Sequence, residues 1–125
     1  MRIERELMRG AGPVAVLKLL EEGPKYGYEL VAALADHAGG LLDMGQSTLY
    51  PMLYNLEAQG YVKASWVEAD TGRQRKYYAL TAAGKRRLAD GMAQWQALAK
   101  AFVGLGILPG GGGSNSRPAL GGASS

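Results

Sequence analysis

The chain has 125 residues, enough for one small domain with a core, and its 47% hydrophobic content argues against disorder throughout. The absence of Cys excludes disulfides, thiolate chemistry and most structural zinc sites; no apolar run nears the ~20 residues that span a bilayer, and MRIERELMRG lacks a signal-peptide core, so the expected address is cytoplasmic, without membrane partners. The formal charge of +3 is unevenly placed: residues 1–59 carry five Lys/Arg against eight acids, whereas residues 60–100 carry eight against three.

In chain order, residues 1–12 read as an N-terminal arm whose RIERELMR forms a separate helical piece. Pro13 suits the first position of a helix, followed by the apolar Val14, Val16, Leu17, Leu19 and Leu20 and the turn Glu22-Gly23-Pro24. A second helix is expected over about 28–37, with Leu30, Val31 and Leu34 on one face and a stop at Gly39-Gly40. A third is expected over about 47–59, closed by Gly60, with Leu49, Leu53 and Leu56 at i, i+4 and i+7 as its core face.

The period then changes. Residues 61–67 (YVKASWV) and 75–80 (RKYYAL) are β-rich runs, and Asp70-Thr71-Gly72 between them is good turn chemistry, so the pair reads as a hairpin with a basic tip. Thr81 can cap a last helix running to about Leu105. Its apolar positions Leu88, Met92, Trp95, Ala99 and Phe102 step by 4, 3, 4, 3, the spacing of a coiled-coil seam and so of a dimer interface. Gly91 and Gly104 within it are weak helix formers. Residues 109–125 are Gly/Ser-rich, without periodicity, and read as a disordered tail.

The fold class expected from this order is α+β, mostly α: a winged helix-turn-helix domain over 13–80 and a C-terminal dimerisation helix over 81–108. An ordinary α+β domain without a nucleic-acid role fits the same order. In a helix-turn-helix the second helix of the pair enters the major groove. With its leucines turned inward, the third helix sends Ser47, Thr48, Tyr50, Pro51, Tyr54 and Asn55 largely outward, after Gln46. Hydroxyls and N-terminal amides suit phosphate, Gln46 and Asn55 can pair with adenine, and Tyr and Pro can cover thymine methyls. Against this, Ser47 can be a simple N-cap, and Tyr50 and Tyr54 can lie on neighbouring elements. Arg73, Arg75 and Lys76 place cations on both faces of the hairpin, as a wing over phosphate or a solvated basic turn.

Two Trp95 rings across a two-fold axis, with Met92 and Ala99 beside them, would either pack together or leave a flat apolar slot for a small-molecule effector. The sole histidine, His37, has no partner constellation. No catalytic set, metal-ligand spacing or phosphate-cradling loop is present, so neither enzyme activity nor a cofactor is expected.

The segments EEGPKYGYEL (21–30), STLYPMLYNLEAQGYV (47–62) and GRQRKYYALTAAGKRRL (72–88) resemble, in order and spacing, the PadR-like transcriptional regulators, over about residues 13–103. The resemblance implies a homodimeric winged-helix repressor whose last helix makes the dimer and whose third helix and wing bind palindromic double-stranded DNA. On that pattern TLYP falls on Thr48–Pro51 and the wing arginines on Arg73 and Arg75. GYEL falls on Gly27–Leu30, where Gly27, with Lys25 and Tyr26 just before it, reaches backbone phosphates. The short last helix resembles a smaller subfamily, some members of which hold flat aromatic ligands between paired tryptophans, a place that Trp95 fits. The competing function is a dimeric small-molecule-binding or protein-interaction module that uses the winged fold without DNA.

Overall fold

The structure is a computed structural model that describes residues 1–110, the side chain of Ala38 excepted. The tail expected from residue 109 therefore lies almost wholly outside the described residues. The chain divides into two compact units, one of Met1–Asp90 and one beginning at Gly91.

Helices α1 (Arg5–Leu20), α2 (Gly27–Asp36) and α3 (Gln46–Ala58) precede a three-stranded antiparallel sheet of β1 (Lys25–Tyr26), β2 (Val62–Glu68) and β3 (Gln74–Leu80), and α4 (Ala82–Gly104) follows. The strand order is β1-β3-β2, with Tyr26 opposite Tyr77 and Trp66 opposite Lys76. Each helix contributes leucines and the sheet contributes Val62 and Tyr78, so Val16, Leu17, Leu30, Leu34, Leu49, Leu53 and Leu88 are buried together with them. Apart from Leu88, which the spacing of α4 puts on a seam, the helical residues among these are the ones that the sequence assigns to the apolar runs and core faces of the first three helices.

The arm and the first helix are one element. α1 begins at Arg5 and runs through Pro13, which is not its first residue but an interior one. An interior proline forfeits the bond to the carbonyl of Arg9 and costs ~3 kcal/mol. Burial of Val16, Leu17, Leu19 and Leu20 further along the helix offsets that cost with tertiary packing.

The ends of α3 are both set by glycine. Gly45 is its N-cap and no side chain caps it; the amides of Thr48 and Leu49 donate to the Gly45 carbonyl at 3.1 and 3.0 Å. Ser47 is thus the second helical residue rather than the cap. At the other end Gly60 takes φ +81°, the Tyr61 amide reaches back to the Leu56 carbonyl at 2.9 Å and the Gly60 amide to the Glu57 carbonyl at 2.9 Å. That pair of bonds is a Schellman motif, whose left-handed residue favours glycine.

Thr81 caps α4 as its residue type suggests. Its Oγ1 accepts from the Gly84 amide at 3.0 Å and donates to the Gly60 carbonyl at 2.6 Å, tying the start of α4 to the end of α3. Past Asp90, α4 continues through Gly91 and ends at Gly104, close to the expected limit.

Candidate nucleic-acid interface

α2 and α3 form the helix-turn-helix pair, joined through a 3-10 turn (His37–Gly40). Gly27 and Tyr50 meet where the two pack: the Tyr50 hydroxyl end lies where a Cβ on Gly27 would stand. Tyr50 is accordingly half-buried against α2, not turned outward with its neighbours. The Glu29 carboxylate accepts from the Tyr26 amide at 3.0 Å, fixing the start of α2.

Gln46, Ser47, Thr48, Pro51, Tyr54 and Asn55 are exposed on α3. Pro51 is the sixth helical residue, one turn deeper than a first-turn proline, and deprives the Ser47 carbonyl of its usual donor. The exposed face contains no Asp, Glu or Lys at these six positions.

The wing is the β2–β3 hairpin. Its tip closes with the Gly72 amide donating to the Ala69 carbonyl at 2.8 Å, and Gly72 takes φ +82°, a left-handed conformation that suits glycine in such a turn. Arg73 is exposed beside it. Alternation along β3 then separates the next two cations onto opposite faces. The Arg75 guanidinium lies 4.6 Å from the centre of the Tyr26 ring, which meets Tyr77 edge-on at 5.4 Å. Lys76 Nζ lies 5.3 Å from the centre of Tyr54, 5.6 Å from that of Tyr78 and 3.9 Å from Glu57 Oε1. Both cations are held on aromatic faces, and Lys76 points back at α3. Lys25 is likewise engaged, 3.2 Å from Glu22. Burial pushes the Tyr78 phenol above its ordinary range, against the pull of the Lys76 charge, so it stays neutral beside that cation.

Tyr26, Gly27, Tyr50, Tyr54, Trp66, Arg75, Lys76 and Tyr78 line one concavity of about 310 Å³ between α2, α3 and the wing. Trp66, 65% exposed, is a member that the motifs pass over. The signal for it is the alternation Val62, Ala64, Trp66, which puts it on the face of Lys76 and Tyr78.

The expected seam residues differ among themselves. Leu88 is 2% exposed and belongs to the core of its own chain, so it offers nothing to a partner. In the second unit Met92 and Phe102 are half-buried, Ala99 is exposed, and Trp95 is 40% exposed.

A three-helix core with a helix-turn-helix pair, flanked by an antiparallel β-hairpin and a long C-terminal helix, defines a winged helix-turn-helix protein. Its third helix exposes polar, uncharged side chains, and its hairpin has an exposed arginine at the tip. The chain belongs to the PadR-like family of transcriptional regulators, whose family pattern matches residues 16–90. It is 29% identical over 82 residues to the negative transcriptional regulator PadR of Bacillus subtilis, a span of 66% of this chain and 45% of that protein. Among solved structures, a PadR family transcriptional regulator from Eggerthella lenta is 40% identical with a TM-score of 0.71, over 80% of this chain and 85% of that one. A Streptococcus transcriptional regulator superposes with a TM-score of 0.73 at 29% identity, over 82% of this chain and 99% of that one. Among the described residues no helix is long and apolar enough to cross a membrane.

Proposed function

We propose that the protein is a homodimeric, sequence-specific DNA-binding repressor that seats α3 of each copy in the major groove of a pseudo-palindromic site. The observation that carries this reading is the surface of α3. Leu49, Leu53 and Leu56 bind it to the core, while hydroxyls, amides and Pro51 stand exposed and uncharged at its front. Such groups meet base edges and phosphates, and Arg73 on the wing supplies an exposed cation for the flanking backbone. A homodimer is supported by the second unit, where Trp95, Leu98, Val103, Leu105 and Ile107 are all exposed on one short segment.

The triple variant Gln46→Ala/Thr48→Ala/Arg73→Ala removes only exposed side chains and leaves the packing of Tyr50 on Gly27 intact. It is expected to weaken binding by about 2–3 kcal/mol, roughly 30- to 150-fold, at an unchanged melting temperature. Fluorescence anisotropy on a duplex from the intergenic DNA upstream of its own gene measures this. Equal affinity in the variant rejects these residues as the reading face. A wild-type protein with no salt-dependent affinity for any duplex favours instead a dimeric ligand or protein-interaction module.

An effector held between the two copies at Trp95, with Met92 and Ala99 alongside, would change the separation of the α3 pair and release the DNA. A planar aromatic cation such as ethidium should quench tryptophan emission in the wild type and not in Trp95→Ala. Because Trp66 is the only other tryptophan, quenching that persists in the variant places the probe near Trp66 and removes the Trp95 slot.

A further inference from the structure

α1 does more than supply core leucines. A Cβ on Gly12 would lie 2.6 Å from Met52 Cε, closer than a Cβ ordinarily approaches, and 3.2 Å from its Sδ, a tight contact, both at the end of a flexible side chain. With only hydrogen there, the Met52 side chain of α3 lies against the N-terminal half of α1. Arg5 and Arg9, one helical turn apart, are thereby brought to the rim of a second concavity of about 270 Å³, whose other walls include Thr48, Pro51 and Asn55.

The two concavities divide α3 between them. Tyr50 and Tyr54, at i and i+4, line the one shared with the wing; Thr48, Pro51 and Asn55, at i, i+3 and i+7, line the one shared with α1. These are two flanks of one helix. A helix in a major groove has a sugar–phosphate strand on either side, about 12 Å apart. The wing attends one flank, and the other faces Arg5 and Arg9.

Neither arginine is committed elsewhere in the fold. Arg9 lies 3.4 Å from Glu6 Oε1 with the two side chains 70% and 77% exposed, a surface pair easily exchanged for phosphate. Arg5 makes no ion pair among the described residues, and Glu4 beside it is exposed.

We propose that Arg5 and Arg9 bind backbone phosphates on the α1 side of the recognition helix, so that the duplex is gripped between wing and α1. This rests on α3 being the element that enters the groove. The test compares wild type, Arg5→Gln/Arg9→Gln and Arg5→Lys/Arg9→Lys on the intergenic duplex and on a random duplex, with affinity followed across a salt series. For every phosphate no longer neutralised, the slope of log affinity against log salt should fall by about 0.9, close to 2 for each protomer bound, with weakening on both duplexes. The lysine variant should keep the wild-type slope, since it keeps the charges, and far-UV circular dichroism should show equal helix content in all three. An unchanged slope in the glutamine variant overturns the proposal while leaving the role of α3 standing. A reduced slope in the lysine variant overturns it too, because the positions would then act through structure. Wild type that binds neither duplex overturns the repressor reading and this one with it.

Discussion

Gly84→Ala should destabilise the N-terminal unit by about 3 kcal/mol and lower its melting midpoint by roughly 10–20 °C. The sign is what makes this informative. Gly84 lies in the first turn of α4, where helix propensity alone favours Ala over Gly by about 0.8–1 kcal/mol. The position of a Cβ, however, is already taken by the Tyr61 carbonyl. That carbonyl cannot retreat freely, because it accepts from the Thr81 amide at 3.2 Å while Thr81 Oγ1 holds the adjoining Gly60 carbonyl at 2.6 Å. Relief therefore breaks the cap of α4 or moves the end of α3. Gly104→Ala is the matched control, since nothing lies within 4 Å of its Cβ position. Thermal unfolding followed by circular dichroism checks both, and a Gly84→Ala protein melting at or above wild type refutes this role for the Tyr61 carbonyl.

Leu53→Ala should cost about 2–5 kcal/mol, the range for emptying a fully buried leucine site. Leu53 is 0% exposed and sits one turn from Leu49 and from Leu56, at the centre of the row that fastens α3 to the core. It contributes nothing to the exposed face, so any fall in DNA affinity should follow the unfolded fraction and disappear when folded protein is compared. Urea unfolding measures the cost as a lower midpoint at unchanged slope. A cost below about 1 kcal/mol would mean that α3 is not held by this row.

The periodic leucines made most of the fold legible. Leu49, Leu53 and Leu56 define their helix from spacing alone, and the change to β-branched and aromatic runs after Gly60 announces the hairpin. Local chemistry was equally legible at Thr81, Gly60 and Gly72, where a cap or a left-handed residue is needed within a few positions. Pro13 was misleading for the same reason: locally it fits a helix start, whereas tertiary burial of Val16, Leu17, Leu19 and Leu20 holds a helix that runs through it.

The candidate site was legible as a set of residues but not as an arrangement. Spacing puts Tyr50 among the outward residues, yet its ring is needed against Gly27. Arg75 and Lys76 read as free cations, yet each lies over a ring supplied by another element. Leu88 falls in register with the seam, yet the first unit buries it. In each case the deciding partner is remote in sequence.

By itself, then, the sequence determined the order of the main helices and the hairpin, the core faces of the first three helices, the turns and the family, because periodicity and capping act over one or two helical turns. The tertiary structure decided which of these side chains are spent on one another, added the two-residue β1 opposite Tyr77 and Tyr78, and laid Arg5 and Arg9 beside α3. Those outcomes depend on what comes to lie against a backbone without a side chain, Met52 at Gly12, the Tyr50 ring at Gly27 and the Tyr61 carbonyl at Gly84, and a missing side chain announces room without saying what will fill it.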